Sequence, residues 1–362
     1  MAQNDYAILV GISRYADNAL CPLEGPVNDV GLMYDWLVNE QGVPQGNIKK
    51  IISNIQPQPP DAPQPSPDSF PPLYKKFEDA FMNIVRKPDR SGYVARADGR
   101  LYLYFSGHGF SEKRDRNQHA ALYVGNTFIK TGPQDNIYGT YFANWTKSRG
   151  LFSEIVLIMD CCRDAEITKV ASVPPLPVPA ETGIDAKLFQ LYAALLGGKA
   201  QERPIPSCNN EVHGLLTYAF LDAVKYAAPG NNKASTADIK SYLEQRWGSF
   251  CGSQPADSPI PVVPENGEIR FSRGAVTPPL QRFKIKSLQT GDAFDIFDNK
   301  FSSIAHVTVN GNEVEIRQID GTVTTSQIEN GIFSIPLFPS YYMAQGGGLR
   351  VTFTAGGDDV EL

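Results

Sequence analysis

Cysteine is scarce in this chain and shows no metal-binding spacing. The five cysteines are an odd number in 362 residues, and none of them forms a CxxC pair. This usage argues against a disulfide scaffold and against a zinc ribbon. It fits a protein of a reducing compartment, so we expect a cytoplasmic location and no structural metal. The cysteines are Cys21, Cys161, Cys162, Cys208 and Cys251.

Long apolar runs and an excess of positive charge are also missing. No apolar run reaches the roughly 18 residues that a membrane-spanning helix needs. The apolar run at residues 6–12 is short and follows a segment without a basic residue, so it predicts a strand rather than a signal peptide. Lys and Arg number 33 against 39 Asp and Glu, which gives a net charge of −6. We therefore expect no nucleic-acid partner and no membrane partner.

The first part of the chain alternates buried-strand patterns with helical patterns. Continuous apolar runs predict strands that are covered on both faces, and apolar residues at helical spacing predict helices between them. This order predicts an α/β fold, with a mostly parallel sheet and helices on both faces. The predicted strands are 6–10, 50–52, 101–105, 155–159 and 189–195, and the predicted helices are 26–40, 73–86, 214–228 and 235–247.

Proline-rich segments divide the chain into domains. Residues 55–72 are dense in proline and predict an insertion, and the prolines of residues 165–185 predict a mobile loop. A third such stretch, 253–279, predicts a linker. Beyond it, alternating runs around the turn Asn310-Gly311-Asn312 predict hairpins. We therefore expect an α/β domain at 1–252 and a small all-β domain at 280–362.

Reactive side chains follow two of the predicted strands. The strand 101–105 runs into Ser106-Gly107-His108-Gly109, and the strand 155–159 runs into Asp160-Cys161-Cys162. Open α/β sheets place their sites at the carboxyl ends of strands, so these residues should meet. A thiol, an imidazole and backbone donors are what a cysteine peptidase needs. The histidine precedes Cys162 by 162 − 108 = 54 residues, near the spacing of about 50 in the caspase signature.

The chain resembles the caspase-like cysteine peptidases of the metacaspase and prokaryotic orthocaspase branch. The resemblance lies in the order and spacing of four segments within residues 1–250, since SGHG or DCC alone is a weak signal. It implies a caspase-like sheet and an endopeptidase that acts on proteins or peptides. The four segments are Tyr6-Ala-Ile-Leu-Val-Gly11, Leu23-Glu-Gly-Pro-Val-Asn-Asp-Val30, Tyr104-Phe-Ser-Gly-His-Gly109 and Met159-Asp-Cys-Cys-Arg163.

The resemblance implies a catalytic dyad. His108 matches the catalytic histidine and Cys162 the nucleophile, with Cys161 as its buried neighbour. The backbone N–H groups of Gly109 and Cys162 match the oxyanion hole. No third member of a triad is evident. For each reactive residue alone the plain alternative is structural, namely a buried cysteine or a loop histidine, and only the pairing favours catalysis.

The resemblance also implies a preference for basic substrates. Asp160, two residues before the nucleophile, and Asp29 match the acidic residues that line the S1 pocket in metacaspases. Ser106 is a further candidate for the S1 wall. Two carboxylates in one pocket favour a cation, and a guanidinium can satisfy both, so we expect cleavage after Arg, then Lys. The structural alternatives are a carboxylate that caps a turn for Asp160, and a first-turn helix acid for Asp29.

Calcium and self-processing follow from the same resemblance. Metacaspases usually continue from the nucleophile as His-Ser-Gly, whereas this chain has Arg163 and Asp164. Lys169 also occupies one position where an acidic calcium ligand is expected, so calcium is carried over only as a candidate activator. Caspase-type zymogens are often cut in the loop after the nucleophile. Here Lys169 and Lys187 are the candidate processing sites.

A second function from a different class stays open. A catalytically silent caspase-like scaffold would act through its C-terminal β-domain, which could bind a regulatory partner. The presence of His108, Cys162, Asp160 and Asp29 together favours the enzyme. The family resemblance implies a role in bacterial defence or cell death.

Overall fold

The fold is described from a computed structural model, which divides the chain into two compact units. Unit 1 is Met1–Gly274 and unit 2 is Ala275–Leu362. The residues that the structure describes are 2–53, 73–112, 120–128, 135–166, 184–227, 232–251, 256–273, 278–298, 301–319, 321–356 and 359–362.

The described part of unit 1 alternates strands and helices. Its strands are β1 (Tyr6–Ile12), β2 (Ile48–Ser53), β3 (Arg96–Gly107), β4 (Gly109–Glu112), β5 (Ala121–Tyr123), β6 (Asn136–Ile137), β7 (Phe152–Cys161), β8 (Asp164–Glu166), β9 (Lys187–Tyr192), β10 (Glu202–Ile205), β11 (Glu211–Gly214), β12 (Lys233–Ser235), β13 (Ile260–Val262) and β14 (Arg270–Ser272). Its helices are α1 (Gly25–Asn39), α2 (Leu73–Val85), α3 (Gly139–Ser148), α4 (Leu215–Tyr226) and α5 (Thr236–Cys251).

A six-stranded sheet in the order β13-β9-β7-β3-β1-β2 forms the centre of unit 1. Its pairs are parallel except for β13, which runs antiparallel to β9 at the edge. The predicted mostly parallel sheet is therefore confirmed. In the register, Ser106 lies opposite Asp160 and Gly107 opposite Cys161, so the ends of β3 and β7 are level.

Helices cover both faces of this sheet, as predicted. Successive side chains of a strand point to opposite faces, and β1 accordingly divides its residues between two cores. Ile8 and Val10 pack in the core that holds Phe77 of α2. Leu9 packs in the core that holds Trp36 of α1, together with residues of α4 and α5. Burial on both faces explains why the strands are continuous apolar runs.

The helix α5 begins with a capping box formed by Ser235 and Asp238. The backbone N–H of Asp238 donates to Ser235 Oγ at 3.1 Å, and the backbone N–H of Ser235 donates to Asp238 Oδ2 at 2.9 Å. This reciprocal pair satisfies backbone donors that have no partner within the helix.

A second sheet in the order β6-β5-β4-β8 follows the ends of β3 and β7. In it β4 pairs in parallel with β8 and antiparallel with β5. These strands and α3 were not predicted, because they are short or lack a clear apolar period. β4 begins directly after His108, and the backbone N–H of Tyr123 in β5 donates to the His108 carbonyl at 2.9 Å.

The segment predicted as a linker contains two strands of unit 1. β13 pairs with β9 and β14 pairs with β12. Pro261 lies in β13, where the sheet edge tolerates a residue without an N–H donor. The domain limits 1–252, 253–279 and 280–362 stay predictions. The predicted insertion 55–72, and all but the ends of the predicted loop 165–185, lie outside the described residues.

Every element that the structure describes in unit 2 is a strand, which confirms the predicted β-domain as a fold class. A six-stranded antiparallel sheet and a three-stranded sheet share one apolar core. Gly311 has a φ of +65° in the predicted Asn-Gly-Asn turn. The strands are β15 (Leu280–Lys284), β16 (Ala293–Phe297), β17 (Ser303–Asn310), β18 (Glu313–Gln318), β19 (Val323–Gln327), β20 (Ile332–Pro336), β21 (Tyr341–Gly346), β22 (Leu349–Thr354) and β23 (Val360–Glu361).

Across the described residues of both units, the structure contains no helix with the length and apolarity to cross a membrane.

Candidate active site

A cavity of about 80 Å³ lies at the carboxyl ends of β3 and β7 in unit 1. The two predicted catalytic residues line it together with the three predicted S1 residues. The described residues that line it include no lysine or arginine. They are Leu23, Pro26, Asp29, Ser106, Gly107, His108, Asp160, Cys162, Ala200, Gln201, Glu202 and Gly214.

The turn that carries His108 requires glycine at the preceding position, Gly107. Gly107 has a φ of +147°, which residues with a side chain rarely adopt. A Cβ there would also lie 2.7 Å from the Tyr15 hydroxyl. That hydroxyl accepts a hydrogen bond from the backbone N–H of His108 at 2.7 Å and donates to the Ile12 carbonyl at 3.0 Å. The Tyr15 ring lies 5.1 Å from the His108 ring, so Tyr15 holds both the backbone and the imidazole.

The His108 imidazole is oriented by a backbone carbonyl. Its Nε2 lies 2.8 Å from the carbonyl oxygen of Cys21, in the loop between β1 and α1. A carbonyl only accepts, so Nε2 carries the proton in this contact. The Cys21 thiol lies 3.6 Å from the same nitrogen. The sequence did not reveal this orienting group, because a backbone oxygen leaves no trace in residue type.

The two adjacent cysteines occupy different environments. Cys161 ends β7 and is fully buried, and burial raises the pKa of its thiol well above the ordinary value. Cys162 is half-buried and lines the cavity, with Sγ 3.9 Å from the Ala200 carbonyl. A Cβ on Gly109 would lie 2.6 Å from Cys161 Sγ, so the backbone of the histidine loop rests directly on this thiol. The prediction that Cys161 is the buried neighbour is confirmed.

Asp29 lies in α1 with no exposed surface and takes three kinds of donor. Ser106 Oγ donates to its Oδ2 at 3.1 Å, His213 Nδ1 lies 3.0 Å from Oδ1, and the Gly214 N–H lies 3.1 Å from both oxygens. Burial raises the pKa of this carboxyl, while the contact with His213 opposes the shift.

Asp160 also has a structural partner. Its Oδ2 accepts hydrogen bonds from the Thr217 N–H at 2.9 Å and from Thr217 Oγ1 at 2.6 Å, in the first turn of α4. The carboxylate therefore caps α4 and lines the cavity at once. Burial, and next the charge of Asp29, raise the pKa of Asp160 to about 7. Its side chain is an acid that changes charge near neutral pH.

Two residues at the site were missed from the sequence. Glu202 lines the cavity and accepts hydrogen bonds from the Glu24 and Gly25 N–H groups at 3.1 and 2.9 Å, which anchors the start of α1. His213 does not line the cavity, but its Nδ1 lies 3.0 Å from Asp29 Oδ1. Both belong to the hairpin of β10 and β11, which lies more than 170 positions along the chain from α1. Their local sequence gave no sign of this contact.

Of the two candidate processing sites, the structure describes only Lys187. Lys187 was expected in the loop after the nucleophile, but the structure places it in a strand, and its role as a processing site stays a prediction. It is the first residue of β9, opposite Glu154 of β7 in the central sheet, and its Nζ donates to the Glu268 carbonyl at 3.1 Å. Cleavage there would require β9 to leave the sheet. Lys169 lies outside the described residues.

No ion site accompanies the cavity in the part of the chain that the structure describes. There, no group of three or more His, Cys, Asp or Glu side chains could hold a metal. The loop that contains Lys169, where a calcium ligand was considered, lies outside the described residues.

Comparison with known proteins identifies the family. A family model described as the caspase domain matches residues 4–249. The chain belongs to the caspase domain family, and its unit 1 carries a cysteine-peptidase domain of that family.

Two solved structures resemble the chain at low identity. Protein GSU0716 from Geobacter sulfurreducens has 10% identity and a TM-score of 0.40, with 75% of this chain and 95% of that chain covered. Caspase-1 from Spodoptera frugiperda has 9% identity and a TM-score of 0.39, with 72% and 87% covered. The curated proteins contain no significant match.

Proposed function

We propose that this protein is a cysteine endopeptidase that cleaves proteins after arginine and, less efficiently, after lysine. One observation carries the proposal. His108 and Cys162 line the same cavity as the buried carboxylates Asp29 and Asp160. A nucleophile, a base and a pocket lined by carboxyl groups are the parts that such a reaction needs.

The catalytic cycle uses the dyad in two steps. The Cys162 thiolate attacks the substrate carbonyl carbon, and the N–H groups of Gly109 and Cys162 receive the oxyanion. His108 gives a proton to the leaving amine, which leaves a thioester on Cys162. Water then attacks the thioester with His108 as base, and the thiol is restored. Because Nε2 is held by the Cys21 carbonyl, Nδ1 is the nitrogen that exchanges protons with the thiol.

The S1 preference follows from charge and geometry. Asp29, Asp160 and Glu202 place three carboxyl groups around one small cavity. A guanidinium carries five donors in a planar fork and can bind carboxylates in pairs, whereas an ammonium is a point charge with three donors. Arginine should therefore bind better than lysine. An aspartate side chain would add a further negative charge and should be rejected.

Regulation and role belong to the same proposal. Protein substrates with a basic P1 residue are the expected partners, and limited proteolysis in defence or cell death is the expected role. Self-processing after Lys169 would match the S1 preference. Calcium is a candidate activator, and hydrolysis assays with and without calcium test this role directly.

Hydrolysis of fluorogenic peptides tests this function. We expect the order Arg, Lys, Asp, with little hydrolysis after Asp, in assays with and without calcium. Cys162→Ala should abolish hydrolysis, while Cys208→Ala, which alters a half-buried cysteine outside the cavity, should leave it unchanged. A preference for Asp, or equal activity of wild type and Cys162→Ala, would contradict the proposal.

A further inference from the structure

His213 is a buried imidazole that the dyad does not use. It lies in β11 opposite Arg203 of β10, and its side chain is 1% exposed. It does not line the cavity, but its Nδ1 lies 3.0 Å from Asp29 Oδ1. The His213 imidazole, which lies outside the cavity lining, therefore contacts the Asp29 carboxylate, which is part of that lining.

The two oxygens of Asp29 have different side-chain partners. Oδ1 takes its contact from His213, and Oδ2 accepts from Ser106 at 3.1 Å. A Cβ placed on Gly214 would lie 2.8 Å from Asp29 Oδ2 and 2.2 Å from Asp160 Oδ2. Both Oδ2 atoms thus lie beside Gly214, and we call this part of the cavity, lined by Asp29, Asp160 and Gly214, its acidic end. Asp29 Oδ1 instead contacts the His213 imidazole.

The other ring nitrogen of His213 has no comparable partner. Nε2 is buried without a hydrogen-bond partner among the described residues. The nearest acidic atom is Glu211 Oε2 at 3.8 Å, on a side chain that is 64% exposed. An unsatisfied buried polar atom lowers stability, so its presence needs a reason. The contact of the same ring with Asp29 provides one.

We propose that His213 is a positioning residue for the S1 pocket, which fixes Asp29 so that Oδ2 meets the basic side chain of the substrate. The inference rests on the proposed function and adds a specificity-determining residue to it. A donor on a carboxylate favours its ionised form. Without the imidazole, Asp29 would lose both its orientation and part of its negative charge, and the pocket would bind a guanidinium less well.

The role predicts a particular split between kinetic constants. The Asp29 contact acts on binding of the P1 side chain and not on the thiol chemistry. Loss of His213 should therefore raise KM for an Arg peptide and leave kcat nearly unchanged. A hydrogen bond to a charged group contributes enough for a change of about 10- to 100-fold in KM. The rate of Cys162 alkylation by iodoacetamide should not change.

Two isosteric variants give the matched test. In His213→Asn the amide N–H₂ lies near the position of Nδ1, and in His213→Gln it lies near Nε2. His213→Leu removes both ring nitrogens. We expect His213→Asn to keep KM close to wild type, and His213→Gln and His213→Leu to raise KM about 10- to 100-fold. An equal rise in KM for His213→Asn and His213→Gln, or no rise for His213→Leu, would overturn the inference while the wild-type cleavage after Arg still stands.

A measurement without a His213 variant covers the case in which the variants do not fold. Acetyl-arginine amide is titrated into ¹⁵N-labelled Cys162→Ala protein, and the ring nitrogens are followed by NMR. Binding should move the His213 resonances, while those of His306, which pairs with Asp295 at 2.9 Å and does not line the cavity, should stay fixed. Binding without movement at His213 overturns the inference alone. No binding, together with no hydrolysis by wild type, overturns the proposed function as well.

Discussion

Asp160 combines two properties that the sequence offered as alternatives. It accepts two hydrogen bonds from Thr217 at the start of α4, and it lines the cavity two residues before Cys162. Capping and pocket formation are compatible because a carboxylate has two oxygens with about four acceptor sites. The helix start stabilises the charge that burial opposes. Its pKa of about 7 is the result of this balance.

The pH dependence of cation binding follows from this pKa. The pKa of Asp160 is raised from 3.8 to about 7, so the folded protein favours the neutral acid. The stability that this group contributes is full below pH 4 and is lost as the pH rises through 7. A bound cation favours the ionised form. Binding of acetyl-arginine amide to Cys162→Ala should therefore tighten as the pH rises from 5.5 to 8.5, in calorimetric titrations.

The control for this pH dependence is Asp160→Asn in the same background. His108 also lines the cavity, and both proteins contain it, so its effect on cation binding is common to both curves. The difference between the two binding curves reports the charge of Asp160 together with its effect on the neighbouring Asp29. Parallel curves for the two proteins would contradict the assignment of the titration to Asp160.

Side-chain pairs far apart in sequence set the limit of prediction at the residue scale. Asp29 and Asp160 could be named because each lies in a segment with a family pattern. His213 and Glu202 could not, because their meaning depends on a hairpin that folds against α1 from far along the chain. The carbonyl of Cys21 could not be predicted either, since every residue type carries that oxygen.

At the scale of elements, the acidic end of the cavity depends on how closely α4 approaches β7. Gly214 precedes α4 with φ −62° and ψ 131°, values that alanine also adopts. A Cβ there would nevertheless lie 2.2 Å from Asp160 Oδ2. Glycine is therefore needed for space and not for backbone freedom.

Gly214→Ala should displace the Asp160 carboxylate from Thr217 and raise KM for an Arg peptide at least about tenfold, because a charge-assisted contact is lost. The matched control is Gly31→Ala, on an exposed part of α1 where a Cβ would meet nothing within 4 Å. That variant should keep wild-type KM and gain slightly in stability. If both variants bind Arg peptides like wild type, the close approach of α4 has no part in specificity.

The long elements were predictable for a physical reason, and the short ones were not. β3 and β7 are buried on both faces and therefore consist of apolar runs that stand out in the sequence. β4, β5 and β8 contain three or four residues each, too few to show a period. Their pairing is set by the ends of the central strands.

For the whole molecule, the cavity lies entirely in unit 1, and the β-sheets of unit 2 contribute none of the described residues that line it. The fold alone is therefore compatible with a peptidase and with a silent scaffold whose activity lies in unit 2. These two hypotheses differ in the reactivity that each expects of the Cys162 thiol. The scaffold needs no reactive thiol, whereas the peptidase needs Cys162 to react faster than every other cysteine.

The most direct test is labelling of the full chain with a thiol-reactive peptide that ends in arginine, followed by mass spectrometry of each cysteine. Cys208 is half-buried and does not line the cavity, so it reports simple accessibility in the same sample, whereas the exposed Cys21 thiol lies 3.6 Å from His108 Nε2 and reports reactivity beside the imidazole. We predict that Cys162 is labelled far faster than either, and that the same reagent ending in aspartate labels it slowly. Labelling of Cys162 no faster than of Cys208 would contradict the peptidase account.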